Sequence, residues 1–241
     1  MIIPQKMSAK LSNFEQLNER FGWYRFELEH PYRLENQAGQ YMIIEVGAGV
    51  RRAYSMCDRP DVDSSFEIVL DYKPNGVGVN YIRNLQFGDS IKCTGPLGQL
   101  TVGEVAHGAT LYLLATGSGI SPFKAIVTDL LQIKNFKQKI VLIWNMNLAS
   151  EFFWLEDFLA IQSAFPNFEF VPVVSQPDAS WTLARGFVAD VLANYDFKYD
   201  DHFYLCGSPL MLNNTVLYLQ NERHIEKRQI TTEQFFAAAS A

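Results

Sequence analysis

Three cysteines in 241 residues (Cys57, Cys93 and Cys206) are too few and too scattered for a disulfide framework. They also fall short of the four thiolates that hold a plant-type iron–sulfur cluster. The four histidines (His30, His107, His202 and His224) show no metal-ligand spacing, so no metal site is assigned. Positive charge is not in excess either. Twenty Lys and Arg against 26 Asp and Glu leave a net charge of −6, the wrong sign for a generic nucleic-acid binder. No stretch approaches the roughly 18 apolar residues of a membrane-spanning helix. The first residues alternate polar and apolar and lack a signal-peptide layout. The expectation is a cytoplasmic protein that binds no nucleic acid and spans no membrane; nothing sets its oligomeric state.

Apolar mass is plentiful. Hydrophobic residues make up 48% of the chain, with 18 Phe and 11 Tyr, enough for large cores and for sites that stack planar ligands. That mass follows two rhythms. Residues 1–106 carry short alternating runs at 23–28, 41–46, 66–70 and 90–93. Glycine and proline turns separate them, among them Gly88-Asp89 and Gly95-Pro96-Leu97-Gly98. This spacing predicts an antiparallel barrel or sandwich, with one short helix over 79–85. Residues 107–241 instead repeat strand, turn and helix. Strands are expected at 111–115, 140–144, 168–174 and 202–206, and helices at 123–133, 152–165, 187–193 and 209–220. A last short strand is expected near 229–231. Repeated βα units imply a parallel sheet, so two domains are expected, 1–106 and 107–241. The halves carry net charges of −2 and −4, so neither is a polyelectrolyte tail.

Four segments combine residue types suited to binding. Arg51-Arg52-Ala53-Tyr54-Ser55 offers a guanidinium for a phosphate, a ring to stack on and a hydroxyl for a heteroatom. Alone, it reads equally as a strand with an outward arginine and a packed tyrosine. Asn75-Gly76-Val77-Gly78-Val79-Asn80 is a glycine turn opening a helix, with backbone N–H groups suited to a pyrophosphate. Ala115-Thr116-Gly117-Ser118-Gly119-Ile120-Ser121-Pro122 follows the first strand of the βα half, where dinucleotides bind. Pro122 stands where the Gly-x-Gly-x-x-Gly pattern has its third glycine, and a tight packing turn is the alternative reading. Cys206-Gly207-Ser208-Pro209 lies at another strand end, with Pro209 suited to a first helical turn.

In this order and spacing, the segments resemble the ferredoxin–NADP reductase superfamily over nearly the whole chain. They resemble its oxygenase-reductase and flavin-reductase branch without an iron–sulfur domain. Gly39-Gln40-Tyr41 ahead of Arg52-Ala53-Tyr54-Ser55 is similar to the family's flavin approach, and the two glycine pairs above to its barrel closure. The resemblance implies an FAD-binding β-barrel followed by an NAD(P)-binding α/β domain with a parallel sheet. Arg52 would hold the FAD pyrophosphate, Tyr54 stack on the isoalloxazine and Ser55 bond near N5. Ala53, Asp71, Tyr72, Gly76, Gly78, Val79 and Asn80 would complete the flavin site. Thr116, Gly117, Ser118, Gly119 and Pro122 would hold the pyridine-nucleotide diphosphate, with Cys206, Gly207 and Pro209 beside the nicotinamide. Ser55, Cys206 and Glu233 are the catalytic candidates, and Phe235 or Phe236 would shield the ring; a solvated tail is the alternative there.

Two departures carry meaning. Val79 stands where relatives place Ser or Thr, which removes one contact to the pyrophosphate. Asn145-Met146-Asn147 and Ser175-Gln176-Pro177 lack the cation that pairs with a 2′-phosphate, which favours NADH over NADPH unless Arg185 substitutes. The function implied is an FAD-dependent NAD(P)H oxidoreductase passing electrons to an external ferredoxin or oxygenase component. A flavin reductase releasing reduced flavin is the first alternative, to which residues 170–177 add weight. An electron-transfer subunit of a larger complex is the second, although the cysteine cluster of dihydroorotate-dehydrogenase-type subunits is missing. Arg51, Arg59, Lys73 and Arg83 are candidates for docking an acidic acceptor, against a reading as scattered solvated charges.

Overall fold

The computed structural model describes residues 3–234. Contacts group residues 3–101 with 121–133 in one unit and residues 102–120 with 134–234 in the other.

The first unit is built on alternation. Its strands are β1 (Gln5–Gln16), β2 (Phe21–His30), β3 (Tyr41–Gly47), β4 (Val50–Ser55), β5 (Ser65–Asp71) and β6 (Ser90–Leu97). Helix α1 (Val77–Arg83) lies between β5 and β6 in the chain. The strands form an antiparallel sheet in the order β4-β3-β6-β1-β2-β5. Its two edges meet through a bridge between Met56 and Ile68, curling the sheet into a barrel. Every second residue points inward: Met7, Ala9 and Leu11 from β1, Tyr24, Phe26 and Leu28 from β2, Met42, Ile44 and Val46 from β3. Phe26 and Phe66 are register partners, and their rings stack at 5.3 Å. Val79 and Ile82 from α1 join the same core.

Two features of this unit depart from the sequence reading. The N-terminal alternation is a twelve-residue strand in the middle of the sheet. Gly95-Pro96-Leu97 is not a turn but the end of β6, where Gly95 pairs with Gln5 and a side chain on Gly95 would strike Met42.

The second unit carries a parallel sheet of β7 (Thr110–Thr116), β8 (Lys139–Met146), β9 (Phe168–Val174), β10 (Ala184–Arg185), β11 (His202–Gly207) and β12 (Ile230–Gln234). In the chain, helix α2 (Ile120–Thr128), which from Ser121 on groups with the first unit, follows β7, α3 (Leu155–Ala164) follows β8, α4 (Val188–Leu192) follows β10 and α5 (Pro209–Leu217) follows β11. The expected helices at 123–133 and 209–220 are shorter, each ending in a π turn, Asp129–Ile133 and Tyr218–Glu222. The β7 and β8 runs are apolar without alternation because both strands are covered on both faces. Val141 and Ile143 pack with Leu114, Phe203, Leu205, Met211 and Leu212 in one core. The order β10-β9-β8-β7-β11-β12 reverses direction at β7, which opens a crevice between the carboxyl ends of β7 and β11.

Candidate functional site

The flavin-side residues lie on β4 and α1 of the first unit. Alternation puts Arg52 and Tyr54 on one strand face and Arg51, Ala53 and Ser55 on the other. The first pair lies over Gly78. A Cβ built there would come within 2.5 Å of the Tyr54 hydroxyl and 3.0 Å of Arg52 Cγ. Glycine is thus required by close approach of the helix start to the Tyr54 hydroxyl and the Arg52 stem, while the Arg52 guanidinium donates to the Arg51 carbonyl at 2.8 Å. Burial raises the Tyr54 phenol well above its usual range, so it stays neutral. Ser55 is buried and paired in register with Tyr41.

The remaining flavin-side candidates are committed in different ways. Gly76 caps α1 without a side-chain bond, and its carbonyl accepts the Asn80 N–H at 3.0 Å. Val79 is turned into the barrel core, so no hydroxyl stands at the helix start. Asp71 takes both arms of the Arg20 guanidinium, at 2.6 and 3.0 Å, and also accepts the Lys73 N–H. Tyr72 shares a hydroxyl contact with Tyr24 at 3.1 Å, and the Arg83 guanidinium lies 4.6 Å over its ring. Of the docking candidates, Arg51 is paired with Glu45 and Arg59 with Asp61.

The nucleotide-side residues converge at the crevice of the second unit. After β7 the chain turns through Gly117, whose φ of +57° suits glycine, into a 3-10 turn over Gly117–Gly119. After β11, Gly207 takes a φ of +148° and packs against Thr116. Thr116 Oγ1 accepts the Ser208 N–H at 3.0 Å. A Cβ on Gly119 would strike the Cys206 carbonyl. The two turns are therefore interlocked, and their glycines are required by mutual approach. Ser208 caps α5 by accepting the Met211 N–H, with Pro209 in the first turn. Pro122, the last of these candidates, is buried in the first turn of α2 and groups with the first unit, apart from this crevice.

Cys206 is fully buried. Burial, with a smaller contribution from Glu233, pushes its thiol well above the usual range, so it is a neutral thiol rather than a nucleophile. Glu233 is its register partner on β12. Phe235 and Phe236 lie outside the described residues.

At the end of β8 an acid stands, not a base. Glu151 Oε2 accepts the Asn147 and Leu148 N–H groups at 3.1 and 3.3 Å. Ser175 donates to Asn147 Oδ1 at 3.2 Å. Arg185 donates to the Trp181 carbonyl at 2.5 Å. The sequence reading missed two clamps at this rim. The Trp144 indole N–H donates to the Gly117 carbonyl at 2.9 Å, and Asn145 Nδ2 donates to the carbonyls of Val173 and Gly186. Trp144 lies 27 residues from its partner, and only the β7–β8 pairing brings them together.

The geometry suits a flavin cradle on one unit and a dinucleotide turn on the other, and the comparisons agree. Residues 8–102 match the oxidoreductase FAD-binding domain and residues 113–216 the oxidoreductase NAD-binding domain. The chain is 29% identical over 241 residues to the phenol hydroxylase P5 protein of Acinetobacter pittii (strain PHEA-2), covering 98% of this chain and 67% of that protein. It is 31% identical over 209 residues to the reductase component DmpP of phenol 2-monooxygenase from Pseudomonas sp. (strain CF600), covering 84% and 58%. The chain thus spans between half and about two thirds of the length of these relatives. Among solved structures, the Amycolatopsis cytochrome P450 reductase GcoB superposes with a TM-score of 0.86 at 26% identity, over 98% of this chain and 71% of that one. With both domain families matched in order and the fold shared from end to end, the chain belongs to the ferredoxin–NADP reductase superfamily.

Proposed function

We propose that the protein is an FAD-dependent NAD(P)H oxidoreductase that passes electrons to a separate acceptor, either a ferredoxin or an oxygenase component. One observation carries this reading: Arg52 and Tyr54 close over Gly78 in the same chain whose Thr116 and Gly207 turns interlock at a sheet crevice. A bound flavin would supply two-electron chemistry, taking hydride from a nicotinamide and releasing electrons onward. In this reading residues 1–106 form the flavin domain and residues 107–241 the nucleotide domain. Arg52 would neutralise the pyrophosphate, Tyr54 would offer its ring to the isoalloxazine, and Ser55 would offer its hydroxyl near N5. Backbone N–H groups at Ser118 and Gly119 face the nucleotide diphosphate. Cys206 and Glu233 would flank the nicotinamide, where the neutral thiol would add bulk without competing chemistry. Such a transfer depends on close placement and excluded water more than on acid–base catalysis.

NADH is the favoured donor. Glu151 occupies the rim where a 2′-phosphate would need a cation, and Arg185 is engaged with Trp181. A second reading, reduction of free flavin, is favoured by Val79, whose burial leaves the pyrophosphate with Arg52 and backbone amides alone. Among the described residues no helix is long and apolar enough to cross a membrane. We place the protein in the cytoplasm, a reading supported by three buried, unbridged cysteines.

The test is a visible spectrum of purified protein, followed by anaerobic titration with NADH and with NADPH. A yellow protein bleached by NADH is expected. Flavin lost on gel filtration, with turnover of added flavin, would move the assignment to the flavin-reductase reading. A kcat/KM for NADPH at or above that for NADH would overturn the donor preference. No NAD(P)H-driven dye reduction by flavin-loaded protein would overturn the enzyme assignment.

A further inference from the structure

The turn after β7 meets the turn after β11 at Thr116 and Gly119, with Gly117 between those two contacts. Gly117 opens it in the left-handed region, and a glycine can leave that conformation cheaply. Its carbonyl nevertheless holds two donors. The Ile120 N–H closes the 3-10 turn, and the Trp144 indole N–H reaches it at 2.9 Å from the adjacent strand. The second donor cannot swing away. Trp144 is fully buried and held edge-on by Phe152, Phe153 and Phe158, with ring centroids at 4.8, 5.0 and 6.1 Å. An indole N–H has no other role than donation, and here its acceptor is the hinge of the turn. Fixing the Gly117 carbonyl fixes the plane of the Gly117–Ser118 peptide, and hence the direction of the Ser118 N–H on its other side.

We infer that Trp144 is a positioning residue for dinucleotide binding: its indole N–H locks the Gly117 peptide so that the backbone N–H groups of the turn are aimed at a diphosphate before one arrives. The inference rests on reading this turn as the nucleotide site. It adds a residue that touches neither phosphate nor nicotinamide. Preorganisation lowers the ordering cost of binding, so its loss should appear in affinity and leave the chemical step alone. Packing and donation are separable, because phenylalanine keeps a ring at position 144 and loses the N–H.

The experiment compares wild type, Trp144→Phe and Phe158→Leu. The last removes a neighbouring ring contact and no hydrogen bond. NAD+ and ADP-ribose affinities are measured by calorimetry, kcat and KM for NADH by dye reduction, and stability by urea titration. Trp144→Phe should weaken both ligands about tenfold and raise KM by a similar factor, with kcat within about twofold. Phe158→Leu should lower the urea midpoint at least as much and leave both affinities within about twofold.

Equal affinities for wild type and Trp144→Phe would overturn the inference, as would equal weakening in the two variants. A wild type that binds neither ligand would instead overturn the reading of the site. Should Trp144→Phe not fold, the wild-type protein still decides. The Trp144 indole N–H resonance, assigned by replacing Trp23, Trp154 and Trp181 in turn, should shift on addition of ADP-ribose, and an unmoved resonance would sink the inference.

Discussion

Thr116 Oγ1 accepts the backbone N–H of Ser208 at 3.0 Å, bolting together two turns that lie 92 residues apart in the chain. Ser208 is also the cap of α5, so one hydroxyl on β7 sets where that helix begins. Thr116→Val keeps the shape and removes the acceptor, leaving a backbone N–H without its partner. Because the bond is exposed and water can replace the acceptor, stability should fall by only about 0.5–1 kcal/mol in urea titration. NAD+ affinity should fall several-fold, because Gly207 loses its reference point. Thr116→Ser should restore both. Valine and serine variants that behave alike would show that the hydrogen bond contributes nothing.

Gly78 gives a test confined to the flavin side. Replacing a helical glycine by alanine ordinarily stabilises by up to about 1 kcal/mol. Here the new methyl would press on the Tyr54 hydroxyl and the Arg52 stem. Gly78→Ala should therefore fold with near wild-type stability and retain little flavin, its dissociation constant raised tenfold or more. Calorimetric NAD+ binding should be unchanged. Wild-type flavin content in the purified variant would count against the assignment of this cradle.

The sequence exposed the parts of this molecule that are local. Alternation marked most barrel strands, and glycine spacing marked the turns after β7 and β11, since φ and close approach are demands made within a few residues. What stayed hidden depends on pairing between distant segments. β1 alternates as clearly as β2, yet its central position comes only from its register with β2 and β6. Gly95-Pro96 has the composition of a turn but lies in a strand, because Gly95 must clear Met42. Trp144 reads as the last residue of a strand and Asn145 as part of a rim segment without a cation, and only the placement of β7 and β9 beside β8 turns them into clamps. Asp58 and Asp201 carry no local sequence signal that sets them apart, while the fold buries both.

Asp201 is fully buried at the end of the sheet opposite the crevice. Its Oδ1 accepts the Thr110 N–H at 2.6 Å and its Oδ2 the Lys198 N–H at 2.8 Å. Gln229 Nε2 donates to its backbone carbonyl at 2.9 Å, so one residue ties together the starts of β7, β11 and β12. Asp201→Asn would turn an NH2 group against one of these N–H donors. The expected loss is about 2–3 kcal/mol, read as a lower urea midpoint with an unchanged slope. Because the clamp lies at the far end of the strands, NAD+ affinity should stay within about twofold under native conditions. A large affinity loss at wild-type stability would mean that the two ends of the sheet are coupled.

Asp58 makes stability depend on pH, and the sign can be worked out. Its carboxylate is 7% exposed and accepts the Glu67 N–H at 3.0 Å. Burial, reinforced by the Glu67 carboxylate and opposed by that hydrogen bond and by Lys124, pushes its pKa from 3.8 up to about 7. Glu67 itself is held by the Trp23 indole at 3.1 Å and by Arg25 at 3.8 Å, so its charge cannot turn away. Between about pH 4 and 7 the folded protein therefore keeps a proton that the unfolded chain has released. The contribution of Asp58 to stability is whole below about pH 4 and is withdrawn as pH rises through 7, at up to about 1.4 kcal/mol per pH unit. Asp58→Asn still offers an oxygen to the Glu67 N–H and has no charge to bury. Urea midpoints measured from pH 5 to 8 should fall with pH in the wild type and stay flatter in Asp58→Asn. The variant should be the more stable protein at pH 8. Asp61→Asn, at an exposed acid paired with Arg59, controls for surface charge and should track the wild type. Parallel curves for wild type and Asp58→Asn would show that Asp58 is already ionised in the folded state across this range.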